Sequence, residues 1–396
     1  MSAFLFVVPP LTGHINPAVG VAARLAAHGH RVAWACADPA LVGRLAGPDA
    51  EVHGCAGPVP GAGGAVRPPD LRGAEALKFL WEWYLLPLAD AMAPGVRAAA
   101  ETFRPDVVVA DQQAFAGALV AERLGLPWAT SATTSAEFAG AYDGLPKIAE
   151  WLRRSLAALR ARIGVPSHSA DPRFSPHLLL IFSTPELIGP QAPLAPHIHY
   201  VGPSLAGRPA GPGFPWERLD QSRAKVLVTL GTANADTGVR FLAECLTALR
   251  DRADRVQGVI ADPAGVLPVP PGDKDVLVLA QVPQLPLLER MDAVVCHAGH
   301  NTVCEALWHG VPLVVAPIRD DQPVVAGQVV DAGAGVRVRF GRVRAAQLGA
   351  ALDTVLTERA HRAAAARIRT AFRAAGGTRA AAAHLENLAD SAAESR

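Results

Sequence analysis

Short unbroken apolar runs recur along the chain, each closed by a polar or glycine-rich turn and followed by a helical pattern. In the first half, residues 4–8, 31–35, 106–110 and the stretch from Pro127 read as buried strands, with shorter ones at 177–182 and 198–201. Between them, residues 18–27, 73–102, 114–124 and 146–162 carry helical periodicity, and Gly29 and Gly125 supply stops. Pro17 suits the first position of the first helix. After a dense Pro/Gly stretch at 206–222, the alternation restarts. Strands are expected at 226–230, 256–260, 276–279, 293–296, 313–316 and 336–340. Helices are expected at 238–250, 302–309, after Gln322, at 345–357, at 359–375 and at 378–392. Strand–loop–helix–strand order predicts βαβ units and an α/β fold in two halves.

Polar residues interrupt this pattern where strands end. His14 stands in the loop after the first strand, and Asp111 closes the strand at 106–110. In one parallel sheet, both would converge on a crevice outside the strands' carboxyl ends. The stretch 294–325 is the densest case. A strand leads into the turn His297-Ala298-Gly299-His300-Asn301. A helix from Thr302 follows, stopped by Gly310 and Pro312, and a second strand runs into Arg319-Asp320-Asp321-Gln322. Gly299 lets a backbone approach a ligand, and a helix start favours an anion. His297 beside it can donate to a phosphate oxygen. Thr302 and Glu305 also have the spacing of a capping box, which would only close the helix start.

The pattern His297-x-Gly299-x-x-Thr302-x-x-Glu305-Ala306, with Gly310-Val311-Pro312 and Asp321-Gln322, resembles the donor-binding signature of the family 1 nucleotide-sugar glycosyltransferases. Gly13-His14-x-Asn16-Pro17 is similar to that family's first loop. The likeness spans nearly the whole chain and is strongest over residues 227–338. It implies the GT-B fold, two Rossmann-like domains facing each other across a cleft. The expected domains are an acceptor-binding half at 1–205, a linker at 206–222 and a nucleotide-sugar-binding half at 223–375. A C-terminal helix at 376–396 would pack back toward the first half.

The resemblance also implies the chemistry, an inverting, metal-independent transfer of a sugar from a nucleoside diphosphate to a small-molecule hydroxyl. His14 is the candidate base, since an imidazole's ordinary pKa of about 6.5 suits proton abstraction near neutrality. Asp111 would hold its tautomer and stabilise the imidazolium, without a serine nucleophile. On the donor side, His297 and the amides of Gly299, His300, Asn301 and Thr302 would hold the diphosphate. Gly13, Gly231 and Thr232 would lie beside it. Glu305 would accept from the two ribose hydroxyls, which favours a UDP over a TDP donor. Asp321 and Gln322 would bind the sugar, glucose being the natural expectation. Gln281 stands where many plant members have a base-stacking Trp, so Val282 and Gln284 would hold the base.

Asp111-Gln112-Gln113, Ala116-Gly117-Ala118 and the opening Val7-Val8-Pro9-Pro10 are similar to the zeaxanthin glucosyltransferase branch, and fit macrolide and polyketide enzymes as well. Both branches take bulky apolar acceptors. Trp81, Trp83, Phe115 and Phe138 are the candidate pocket wall.

Composition narrows the field. Of 396 residues half are apolar and 18% charged, with a net charge of +1 and no basic block, so nucleic acid is not an expected partner. Five scattered cysteines without a CxxC suit free thiols in a reducing cytoplasm. No leader is expected, because Pro9-Pro10 breaks the first apolar run and no basic segment precedes it. No apolar run has membrane-spanning length. Asp273-Lys274-Asp275 is formally a DxD metal pattern, but it lies in a Pro/Gly turn remote from the donor signature. The expected partners are therefore a nucleotide sugar and a hydrophobic acceptor, for a monomer or weak homodimer with no metal or other cofactor. The alternatives are a GT-B nucleotide-sugar epimerase, a TDP-deoxysugar-dependent natural-product glycosyltransferase and a non-catalytic nucleotide-sugar binder. A missing GxGxxG turns the reading away from an NAD oxidoreductase.

Overall fold

The structure is a computed structural model that describes residues 1–59, 71, 73–138, 145–167, 170–189, 194–209, 211–231, 238–268, 270 and 272–394. Two compact units divide the chain. One comprises Met1–Thr184, Gln191–Pro209 and Ala375–Arg396, the other Pro185–Pro190 and Ala210–Ala374.

The first unit holds a parallel sheet of β1 (Ala3–Val7), β2 (Arg31–Cys36), β3 (Glu51–Gly54), β4 (Val107–Asp111), β5 (Trp128–Ala132), β6 (Leu178–Ile181) and β7 (Ile198–Tyr200). Their spatial order is β3-β2-β1-β4-β5-β6-β7. The second unit holds β8 (Ala224–Thr229), β9 (Val256–Ala261), β10 (Val276–Leu279), β11 (Ala293–Cys296), β12 (Leu313–Val315) and β13 (Gly335–Arg337), in the order β10-β9-β8-β11-β12-β13. Both sheets are doubly wound. The strand order reverses between β1 and β4 in one and between β8 and β11 in the other, the switch points where such sheets bind ligands.

Unbroken apolar strands reflect burial on both faces. In β1, Leu5 and Val7 pack with the helices Leu86–Phe103 and Phe115–Leu124, while Phe4 and Phe6 pack with the helices Thr12–Ala27 and Thr378–Glu394. The second sheet sorts its residues the same way. Leu227, Val294 and Leu313 face the helices His300–Trp308, Gln322–Asp331 and Arg359–Ala375. Val226, Val295 and Val314 face Val239–Arg250 and Ala345–Thr357.

Several elements differ from the sequence expectation. The first helix begins at Thr12, so Pro17 lies inside it and His14 sits in its first turn. The stretch 206–222 is not a bare tether, since Phe214 and Leu219 enter the second unit's core and Trp216–Arg218 forms a short helical turn. The expected helix at 73–102 is three pieces: Gly73–Leu80, a π turn at Trp81–Leu85, and Leu86–Phe103. The Leu86 amide reaches back to the Trp81 carbonyl across the π turn. Pro87 follows directly and has no N–H to continue an α-helical ladder. The short helix Pro39–Ala46 and strand β3 were not foreseen. Among the described residues, no helix is long and apolar enough to cross a membrane.

Leu385, in the C-terminal helix, is fully buried in the first unit's core. Leu385→Ala is expected to destabilise that unit by about 2–5 kcal/mol, measured by urea unfolding. A change under about 0.5 kcal/mol would show that the helix is not part of that core.

Candidate functional site

Two clusters stand at the two switch points. In the first unit, β1 leads through a tight turn into the helix Thr12–Ala27, whose first turn carries His14. Its neighbour β4 ends at Asp111, and β5 beyond it leads to Thr133. Parallel register aligns these ends, with Val7 opposite Ala110 and Asp111 opposite Ser131. Asp111 is 2% exposed. A buried carboxylate is costly unless it is hydrogen-bonded, and this one is. The Gln113 amide donates to Oδ1 (2.8 Å) and the Thr133 hydroxyl to Oδ2 (2.9 Å). His14 Nδ1 lies 2.9 and 3.0 Å from the two oxygens and 2.8 Å from Thr133 Oγ1. The carboxylate therefore selects the tautomer with the proton on Nδ1, which leaves Nε2 as the basic nitrogen. His14's side chain is 16% exposed, so the imidazole is held without being sealed off. Thr133 was missed from the sequence. Its only signal there is a place just beyond a strand adjacent to β4, which needs the sheet order to be read.

In the second unit, Gly231 follows β8 and His297 follows β11. The His297 imidazole is buried between two glycines. A methyl group on Gly231 would meet its Cε1 at 2.7 Å, and one on Gly299 would overlap its Nε2. Gly299 has an ordinary extended backbone, so it is glycine here to make room for this ring rather than for a left-handed turn. The left-handed residue is Ala298 (φ 65°), an uncommon conformation for a side chain with a Cβ. Burial pushes the His297 pKa down to about 4; a hydrogen bond to the Thr229 backbone opposes this, and the charge of Arg319 adds to it. The ring is therefore neutral at pH 7.

Gly299 is also the N-cap of the helix His300–Trp308, which carries no side-chain cap. Thr302 and Glu305 thus lie inside the helix, both buried, and the capping-box reading does not apply. His300 is buried with Nε2 3.5 Å from Cys304 Sγ, and Asn301 is half-buried. Gln284 Nε2 donates to Glu305 Oε2, so Gln284 holds that carboxylate. Val282 is half-buried against the core. Past β12, Gln322 Oε1 accepts from the amides of Ile318 (2.9 Å) and Arg319 (3.0 Å), which closes the loop. Asp321 precedes the helix Gln322–Asp331. Thr232 lies outside the described residues.

The other expected residues divide. Gly13 is exposed in the first turn beside His14. Trp81 and Phe115 are not a pocket wall. They are 2% and 1% exposed, with rings 5.3 Å apart in the first unit's core. Trp83 is 61% exposed and stacks on Phe79, and Phe138 is half-buried against Phe174 (5.4 Å). Asp273 and Asp275 have structural partners: Asp273 caps the amides of Asp275 and Val276 and pairs with Arg250, and Asp275 pairs with Arg223.

A doubly wound pair of units, one presenting a carboxylate-held imidazole and the other a helix-start turn at its switch point, is the architecture of a nucleotide-sugar transferase. Known proteins agree. Residues 262–388 match the erythromycin biosynthesis protein CIII-like C-terminal domain. The chain is 31% identical to 4'-demethylrebeccamycin synthase of Lentzea aerocolonigenes, over 93% of this chain and 95% of the relative. It is also 31% identical to demethyllactenocin mycarosyltransferase of Streptomyces fradiae, over 99% and 88%. The crystal structure of the kitacinnamycin glycosyltransferase superposes with a TM-score of 0.76 at 28% identity, covering 98% of each chain. The chain belongs to the family 1 glycosyltransferases of the GT-B fold, enzymes that glycosylate small natural products.

The His297 environment makes a direct prediction. Its folded pKa of about 4 lies below histidine's ordinary 6.5, so its contribution to stability is present above pH 6.5 and lost as pH falls toward 4. A histidine Cε1 NMR titration should show one ring titrating near pH 4 that Gly299→Ala shifts upward by opening the ring's enclosure. A His297 that titrates at 6.5 or above would contradict the burial described.

Proposed function

We propose that the protein transfers a sugar, glucose in the first instance, from a UDP-sugar to a hydroxyl of a bulky, largely apolar small molecule, with inversion at the anomeric carbon. The observation that carries this is the His14–Asp111–Thr133 arrangement at the first switch point. Nε2 of His14 takes the proton of the acceptor hydroxyl. The acceptor oxygen then bonds to the anomeric carbon as the bond from that carbon to the diphosphate oxygen breaks. Asp111 stabilises the imidazolium so formed, and Thr133 holds the carboxylate in line. The electron pair of the broken bond stays on the diphosphate. The start of the helix His300–Trp308 offers it amides and the positive end of its dipole, and neutral His297 offers its single N–H by giving up the bond to the Thr229 backbone. No metal step is needed in this scheme, because these groups meet the leaving charge.

Asp321 and the Nε2 end of Gln322 are the groups assigned to the sugar hydroxyls, since the Gln322 oxygen already closes its loop. Glu305 is assigned to the ribose. One observation favours a second donor. Gln284 already occupies Glu305 Oε2, which suits a deoxyribose with a single hydroxyl, and hence a TDP-sugar.

Incubation with UDP-glucose and TDP-glucose and a panel of polycyclic phenols, read by mass, tests the reaction and the donor. An isomerised sugar without a glycosylated product would identify an epimerase instead. His14→Ala is expected to lower kcat by about 10²–10⁴-fold, and Asp111→Asn by about 10²-fold or more, with little change in donor KM. Full activity in His14→Ala would remove the base from this position.

A further inference from the structure

The helix His300–Trp308 opens on Gly299, which brings no side chain to cap it. Its first residue is a histidine, and Cys304 stands one turn later on the same face. Both are buried, His300 to 6% exposure and Cys304 to 2%. Cys304 Sγ lies 3.5 Å from His300 Nε2, a hydrogen bond between the two side chains. In a helix the Cα–Cβ bonds tilt toward the N-terminus, so Cys304 leans back onto the ring and His300 leans past the first turn. The residues on either side of His300, Gly299 and Asn301, are only half-buried, so the turn itself is not sealed.

This bond settles which ring nitrogen carries the proton. An imidazole nitrogen with a lone pair is a good acceptor, whereas a thiol sulfur is a weak one and its S–H can donate. The thiol therefore donates to Nε2, and the proton of the neutral ring is on Nδ1. The two ring nitrogens point in widely different directions. With Nε2 turned along the helix toward Cys304, Nδ1 turns back toward the helix start. Nδ1 is bonded directly to Cγ, so it is also the ring nitrogen nearer the residue's own amide. An anion that meets the amides of this turn comes within reach of the Nδ1–H. Packing alone gives no reason for an imidazole here. An apolar side chain would cover Cys304 equally well, without bringing a second nitrogen under cover where polar groups are costly.

We propose that the His300 side chain donates its Nδ1–H to the leaving diphosphate of the donor, beside the backbone amides of the same turn, and that Cys304 is the positioning residue that fixes the ring and its tautomer. The inference deepens the proposed donor site and rests on that reading of the helix start. The diphosphate gains negative charge as its bond to the anomeric carbon breaks. A donor group already oriented meets that charge without reorganising. The ring remains neutral, and no proton is transferred. The two histidines of the turn are thus set by different means, His297 by the space that Gly231 and Gly299 leave and His300 by a thiol.

Two measurements test this. The first needs no substitution in the protein observed. A long-range ¹H–¹⁵N spectrum of the free wild type, with the His300 signals identified by their loss in His300→Asn, should show its proton on Nδ1. A proton on Nε2 would overturn the proposal. The second is the affinity for UDP and for TDP by titration calorimetry. His300→Gln places an amide near the Nε2 position, and Cys304→Ala removes the thiol. Each should weaken the tighter nucleotide by about tenfold or more, the size of a hydrogen bond to a charged group. His300→Asn places an N–H near the Nδ1 position, and Cys304→Ser keeps a donor to the ring. Each should regain at least about threefold of that loss. Unchanged affinity in both His300→Gln and Cys304→Ala would overturn the proposal. So would an equal loss in all four variants, which is the mark of a merely structural pair. A wild type that binds neither nucleoside diphosphate would remove the donor site and this inference together. A wild type that binds, with variants that bind as tightly, would remove this inference alone.

Discussion

A carboxylate buried at the end of β4 is the demand around which the first unit is arranged. A carboxylate buried there without hydrogen bonds would carry a desolvation penalty. It is met instead by groups from three places in the chain: the amide of Gln113, the hydroxyl of Thr133 and the ring of His14. Those partners come together only when β1, β4 and β5 lie side by side and in register. The arrangement that stabilises the charge is therefore the one that gives the imidazole a fixed tautomer and orientation. Folding of this unit and orientation of the imidazole are a single event.

The second unit uses the same strand order to opposite electrostatic effect. Its switch point also carries a histidine, but His297 is enclosed by Gly231 and Gly299 and has no carboxylate beside its ring in the described contacts. Burial keeps it uncharged. A neutral ring next to a helix start can donate to an anion without the desolvation cost of a buried cation. Two histidines on the same topology thus have different surroundings, one hydrogen-bonded to a carboxylate and one made less basic by burial. A left-handed Ala298 between His297 and Gly299 is the local strain that sets the second arrangement.

Aromatic residues near the first site show how packing reassigns residues of one type. Trp81, Trp83 and Tyr84 are almost consecutive, yet one is core, one is solvent-exposed and one carries an enclosed hydroxyl. A regular helix would rotate them by about 100° per residue. The π turn before Pro87 changes that phase, and so changes which ring the core receives. Phe115, on the helix Phe115–Leu124, packs against Trp81 in that core.

Much of this protein was legible from its residues alone. Unbroken apolar runs with glycine and proline stops marked every strand along the chain except β3, and polar residues at the strand ends marked His14, Asp111 and His297. These are local signals, since a strand end and a helix start are each defined by a few neighbouring residues. What the sequence did not yield depends on groups far apart in the chain. Thr133 joins His14 and Asp111 only because β5 neighbours β4. Gly299 serves the His297 ring rather than a turn, and Thr302 with Glu305 sits within a helix that starts earlier than its capping pattern suggests. Trp81 and Phe115 went to the core because burial is decided by the whole packed layer, not by the residue type. Sequence determined which chemistry stands at which strand end. Tertiary structure decided which of those groups touch, because contact across a sheet is set by strand order and register, and neither is written in any one stretch of chain.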